Sequence, residues 1–409
     1  MVNKSGILKC FFAAAVLFLS NAAADDIDNY LASLSEADAA AQMFLVNIEG
    51  NSSYSAVEEI DGSPLVPGGC ILFSFNIAPS AEQIISYTSS VASYCKKNSK
   101  PVPYIAIDQE GGLVNRLRDI TSPLPSESRL AARVSPSSAA EIYSAQARQL
   151  RALGITMNLA PVAEPSVESN KDFLGTRSFG SVANACVYSF VAISAYEKNG
   201  VGSVLKHFPG NTNTDPHTGL PFIELSLKEL KENFIVPFAF ALESSPSAVL
   251  MSHAVTKVAD SKMPACLSEY WTREVLQKQL GYGGLIISDD IFMKALADNG
   301  FPPEKAVLMA VRAGVDVIML SEKKFANVVS ILLSYAHADK SFSESLKKSQ
   351  RKIIEFKLSK GILKRQNGKI VSAQAVDSEQ SVRDFYSAKR EGDELYRQLF
   401  RNGDLNEKK

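Results

Sequence analysis

Eight short runs of β-branched and apolar residues punctuate this chain: Met43 to Ile48, Cys70 to Phe75, Pro103 to Asp108, Thr156 to Pro161, Val201 to Lys206, Ala248 to His253, Gly284 to Asp289 and Val315 to Leu320. Between them lie segments whose apolar residues recur at helical spacing, including Ala81 to Tyr94, Ser138 to Leu153, Ala183 to Asn199, Leu227 to Leu242, Ser268 to Leu280 and Pro303 to Ala313. Strand-length runs alternating with helices imply parallel strands joined by crossovers. Eight such units are what a TIM-type (β/α)8 barrel requires. A doubly wound open sheet shares this local pattern. Its nucleotide-binding forms carry a glycine-rich cradle, G-x-G-x-x-G after the first strand or G-x-x-x-x-G-K-[ST], and the sequence has neither. At 409 residues the chain accommodates one large barrel with additions.

The N-terminus is read apart from this pattern. Lys4 and Lys9 precede the apolar run Cys10 to Leu19, and Ala22, Ala23 and Ala24 supply small residues before Asp25. The run is far short of the ~20 residues that span a bilayer, so residues 1–24 read as a secretory signal and the protein as exported by a bacterium, periplasmic or extracellular; an uncleaved anchor is the alternative. The remaining Cys70, Cys95, Cys186 and Cys266 form no C-x-x-C pair, which predicts neither a zinc site nor a disulfide framework and leaves room for one disulfide. A formal net charge of -1 provides no drive toward nucleic acid or anionic lipid. Within that balance the C-terminal stretch is basic against an acidic remainder, so the tail is able to dock on its own barrel. Ser345 to Leu363 reads as the last barrel helix. The barrel domain is placed at 25–364, and 365–409 reads as a charged extension, helical or partly disordered.

Several strand ends are polar where a core would not select polarity. Asp108 closes the third run, Lys206 and His207 the fifth, Ser252 and His253 the sixth, Asp289 and Asp290 the seventh. One aspartate there is an ordinary cap or turn former. Four such ends converge on one pocket, because in this fold strand C-termini share the barrel mouth. Successive strand residues face opposite sides, so with Leu285 and Ile287 filling barrel layers Asp289 points inward, and Asp290 reads as the cap of a helix starting at Ile291.

The motifs IAIDQEGGLVNRL, GTRSFG, KHFPGNTNTDPHTGLP, AVLMSHAV and GLIISDDIFMKAL, in this order, resemble the barrel domain of glycoside hydrolase family 3, and specifically its single-domain β-N-acetylglucosaminidases. The similarity runs from about Asp26 to about Lys364. It implies Asp289 as the nucleophile. It also implies that Asp215 and His217, from Asp215-Pro216-His217, act as the acid/base dyad, Asp215 orienting the imidazole that transfers the proton. Asp108, Arg116, Arg177, Lys206 and His207 correspond to the family's hydroxyl-binding ring. Thr176 stands where an acidic or amide residue precedes the arginine in relatives. His253 matches a barrel-mouth histidine of the family and serves equally well as a core histidine. From the Lys-His-Phe-Pro-Gly pattern, Phe208-Pro209 is expected to be cis.

The resulting expectation is an exo-acting enzyme that releases terminal N-acetylglucosamine from peptidoglycan fragments or chitin-type oligosaccharides by double displacement, with a carbohydrate substrate and neither cofactor nor metal. Two alternatives stay open: a β-glucosidase of the same family, and a catalytically lapsed sugar-binding barrel.

Overall fold

The computed structural model describes residues 26–216, 218–259, 262–373 and 378–400. The secretory signal read at residues 1–24 lies outside them, as does His217. All eight expected strands are present: β1 (Phe44–Asn47), β2 (Gly69–Leu72), β3 (Tyr104–Ile107), β4 (Met157–Asn158), β5 (Gly202–Phe208), β6 (Ala248–Met251), β7 (Leu285–Ser288) and β8 (Ile318–Leu320). They pair in parallel with sequence neighbours in the order β7-β6-β5-β4-β3-β2-β1-β8. A bridge from Ile287 to Val317 closes the ring. The result is a (β/α)8 barrel.

Strands such as FLVN, GCIL, YIAI and LIIS are buried along their whole length. That is the signature of parallel strands covered on both faces, and it is why they read as unbroken apolar runs. β4 is shorter than expected. Pro161 has no N–H to donate, and its peptide with Ala160 is cis; ladder contact resumes only as a bridge from Val162 to Lys206.

The main shell helices are α1 (Ala81–Lys97), α2 (Pro136–Ala152) and α3 (Val182–Lys198), then α4 in three consecutive pieces (Leu227–Leu230, Lys231–Ile235, Val236–Leu242). They continue with α5 (Tyr270–Gln279), α6 (Pro303–Ala313), α7 (Ala326–Ala338) and α8 (Lys340–Ser359). Ser80, Ser135 and Ser181 cap the first three, each hydroxyl accepting an N–H three residues on. The β1–β2 connection departs from the eightfold pattern. Among its described residues it holds a small hairpin, Glu59–Ile60 with Ser63–Pro64, in place of a helix, as its glycines, prolines and serines allow.

After α8 the chain forms a hairpin, Leu363–Gln366 with Lys369–Ser372, turning at Asn367 and Gly368, both at positive φ. A long helix, α9 (Ser378–Leu399), follows and packs on α2 and α1. Charge helps to seat it: Arg148 pairs with Glu391 at 2.6 Å, and Lys389 Nζ donates to the Thr121 carbonyl. Among the described residues no single helix is long and apolar enough to cross a membrane.

The end of the barrel away from the strand C-termini is bound by α8. Lys352 pairs with Asp316, Lys360 with Glu197, and Lys357, 0% exposed, donates to Gln42 Oε1 at 2.6 Å and the Val102 carbonyl at 2.8 Å. Both acceptors of Lys357 are neutral, and burial pushes its ammonium down to about 7. An unfolded lysine titrates near ~10.4, so between these values the unfolded chain holds a proton that the folded chain lacks, and stability rises with pH across that window. Lys357→Met is expected to remove this rise. Denaturant unfolding from pH 7 to 9 should show the unaltered protein gaining up to roughly 1.4 kcal/mol per pH unit relative to the variant. Parallel curves would mean that Lys357 is charged in the fold.

Candidate active site

The polar strand ends meet at the barrel mouth. Beyond β3 the chain makes a hairpin, Gln109–Gly111 with Val114–Asn115, whose tight turn depends on Gly111 and Gly112 at positive φ; a Cβ on Gly111 would lie 2.2 Å from the Pro125 carbonyl oxygen. Gln109 and Asn158 exchange hydrogen bonds at 3.0 Å and stitch this turn to the end of β4. At the end of β5 the Lys206–His207 and Phe208–Pro209 peptides are both cis, the second as expected. Phe208 is anchored edge-on against Phe238 and Trp271.

These elements assemble a network of buried and half-buried polar side chains. Lys206 Nζ lies 2.8 Å from Asp108 Oδ1 and 2.6 Å from Glu110 Oε1. Arg177 grips Glu110 with two parallel bonds of 2.8 and 2.9 Å. His207 Nδ1 lies 2.7 Å from Glu164 Oε1, which Asn211 also approaches at 3.3 Å. Burial alone would raise the Glu110 carboxyl, but Lys206 and then Arg177 outweigh it and hold the group well below the usual carboxylate range. In return Asp108 and Glu110 raise Lys206 against its own burial. Glu110 and Lys206 are thus each kept charged away from water, as long as their partners are present.

Asp289 follows β7 and is 8% exposed. Its backbone N–H donates to the Met251 carbonyl, and its Oδ1 accepts the Asp290 N–H at 2.9 Å. Burial pushes its carboxyl up; His253, His207, the Asp290 N–H and Lys206 together more than offset this and hold it below the ordinary aspartate value. An ionised, sparsely bonded carboxylate set beside two imidazoles and an ammonium is chemically a nucleophile or an electrostatic stabiliser.

The model of the glycosyl hydrolase family 3 N-terminal domain matches residues 38–356 of the chain, from the approach to β1 into α8. The chain belongs to glycosyl hydrolase family 3. It is 30% identical over 318 residues to a protein named beta-hexosaminidase A from Pseudoalteromonas piscicida, covering 71% of this chain and 53% of that one. It is 32% identical over 296 residues to a beta-hexosaminidase from Haemophilus influenzae, covering 70% and 81%. The chain therefore spans about half the length of the Pseudoalteromonas protein and most of the Haemophilus one. A solved family 3 beta-N-acetylglucosaminidase from Paenibacillus superposes with a TM-score of 0.73 at 25% identity, covering 87% of this chain and 69% of that chain.

Within this family 3 barrel the structure brings together Asp289, Lys206, His207, Asp108 and Arg177. Arg116 stands beside them without joining the network: its guanidinium lies 6.0 Å from the centre of the Phe73 ring, and its Nε is buried with no hydrogen-bond partner. Asp215 is exposed on the loop after β5, its carbonyl accepting the N–H groups of Thr218 and Gly219. His217 lies outside the described residues. Asp290 differs from the expectation, since the next helix begins at Lys294 and its Oδ1 accepts the N–H groups of Phe292 and Ser321, tying the ends of β7 and β8. Both ring nitrogens of the buried His253 are engaged, by Cys266 Sγ at 3.2 Å and the Asp290 carbonyl at 2.9 Å. Cys70, Cys95, Cys186 and Cys266 are free and buried.

Sequence reasoning missed three carboxylates. Glu110 lies two residues after Asp108, on the same face of an extended chain, and that spacing was enough to find it. Glu164 follows the cis proline that ends β4, beyond the run read as a strand. Glu127 carries no local signal: its Oε1 accepts the Val162 N–H at 2.9 Å, its Oε2 is buried without a partner, and burial together with Glu110 pushes its carboxyl well above the usual range.

Proposed function

We propose that this family 3 glycoside hydrolase is an exported, exo-acting β-N-acetylglucosaminidase that works with retention. The observation that carries the reading is Asp289, ionised and buried at the end of β7 beside Lys206 and His207, with the paired charges of Asp108, Glu110 and Arg177 around it. The names of the relatives support the choice of amino sugar.

In the first step Asp289 attacks the anomeric carbon as the bond to the leaving oxygen breaks, and His217, oriented by Asp215, gives that oxygen its proton. In the second step His217 takes a proton from water, the resulting oxygen nucleophile attacks the anomeric carbon, and the Asp289 carboxylate leaves. Asp108, Lys206, Arg177, Arg116 and His207 bind the sugar hydroxyls. Glu110 and Glu164 hold Lys206, Arg177 and His207 in place, so the donors are ordered before substrate arrives.

Chromogenic N-acetyl-β-glucosaminide and β-glucoside assayed side by side should show turnover of the first only, and early NMR spectra should show the β anomer as product. Preference for the glucoside would point to a β-glucosidase, the α anomer would end the double-displacement reading, and turnover of neither would leave a sugar-binding barrel. Export rests on residues 1–24; protein recovered outside the cytoplasm should begin at Asp25.

A further inference from the structure

We infer that Phe75, beside Phe73 on the rim of the barrel mouth, is the platform on which the leaving sugar of the substrate rests. This deepens the glycosidase reading above and depends on it. Phe73 follows β2, and Phe75 sits on the single turn Ser74–Asn76 that comes next, so both lie at strand C-termini, on the same face of the barrel as Asp289. Phe75 is 52% exposed, so much of its ring is open to solvent at the rim.

The ring is also held in place. Asn76 is completely buried; its Oδ1 accepts the Phe73 N–H at 2.9 Å, and its Nδ2 donates to the carbonyls of Ile48 and Gly50 at 2.9 and 2.7 Å. The two rings lie nearly parallel, 14° apart, with centroids 6.2 Å apart. Lys323, from the loop after β8, places its ammonium 5.3 Å from the Phe75 ring centre while pairing with Glu49 at 2.7 Å. An apolar surface braced in this way loses little conformational freedom on binding.

Its position selects the ligand. In an exo-acting enzyme the terminal sugar fills the pocket and the rest of the substrate leaves across the rim. Phe73 touches Arg116, a residue read as a ligand of the terminal sugar, so the platform is continuous with the pocket. The C–H face of a pyranose is flat and apolar and packs on an aromatic ring. The ligand class is therefore a second hexopyranose in the leaving position.

The test compares the disaccharide of β-1,4-linked N-acetylglucosamine with the methyl N-acetyl-β-glucosaminide, which has no second ring. Phe75→Ala is expected to lower the ratio of kcat/KM for the disaccharide over that for the methyl glycoside by about fivefold to tenfold, mostly through KM, as loss of binding shared by ground and transition states requires. Phe75→Trp should retain the ratio, and thermal unfolding of both variants should match the unaltered protein. In an Asp289→Ala background, calorimetry should show Phe75→Ala weakening the disaccharide more than free N-acetylglucosamine. Hydrolysis with an unchanged ratio, or a Trp variant no better than Ala, overturns the platform alone. No hydrolysis by the unaltered protein, but Phe75-dependent disaccharide binding, overturns the enzymatic reading and leaves the platform standing. Binding of neither sugar overturns both.

Discussion

Asp289→Ala is expected to lower kcat/KM for N-acetyl-β-glucosaminides by at least about a thousandfold, roughly 4 kcal/mol of transition-state stabilisation, with the fold intact. The loss should be this large because no other described carboxylate is placed to take over. Asp290 is committed to the N–H groups of Phe292 and Ser321, and Asp108 and Glu110 are committed to Lys206 and Arg177. The fold should survive because the Asp289 side chain ties down only its neighbour, accepting the Asp290 N–H. Its depressed pKa means that the surroundings favour the ionised form; that contribution to stability is present above the unfolded value near ~3.9 and fades as pH falls through the lower folded value. The variant and the parent should therefore differ modestly in stability at neutral pH and converge in acid. Mass spectrometry after reaction with a fluorinated sugar that stalls the covalent intermediate should place the label on Asp289. A label elsewhere, or a variant that keeps a tenth of the activity, would remove it from the role of nucleophile.

His217→Ala should show a loss that depends on the leaving group. A sugar alkoxide leaves only with a proton, so turnover of the disaccharide should fall by about a hundredfold to ten-thousandfold, the range that general acid catalysis supplies. An aryl glycoside whose phenol is already acidic should lose far less in the glycosylation step. Asp215→Asn should act on the same step, since without the carboxylate the imidazolium loses its support and the ring its tautomer. A pair that acts as a unit predicts a double variant that costs much less than the sum of the single ones. Equal losses on both substrate types would show that His217 does something other than protonate the leaving oxygen, and strict additivity would show that Asp215 and His217 work apart.

The number, order and direction of the barrel strands were legible in the sequence because each depends on local features. An apolar run of strand length, a polar residue where it ends, and a helix with a serine cap before the next run are all readable within about twenty residues. The same locality made Asp289, Lys206 and His207 visible, since each stands where an apolar run stops. Locality also explains the error over Asp290. An aspartate before an apolar helical segment reads as its cap, whereas the fold gives its carboxylate a stronger use across two strands.

By itself the sequence determined that β-strands would alternate with helices around a closed sheet and that charged residues would crowd one end of it, because hydrophobic period and turn chemistry are properties of neighbours along the chain. Only the tertiary structure decided which charges answer which. Lys206 meets Asp108 and Glu110 from nearly a hundred residues away, His207 meets Glu164 across a cis-proline turn, and Lys357 finds its oxygens on Gln42 and Val102 at the opposite end of the barrel. The reason is physical. A buried charge is stable only when a partner reaches it at hydrogen-bonding distance, and that distance is set by the parallel sheet, which seats β5 against β4 and β4 against β3 and turns all three strand ends into one mouth whatever their separation in sequence.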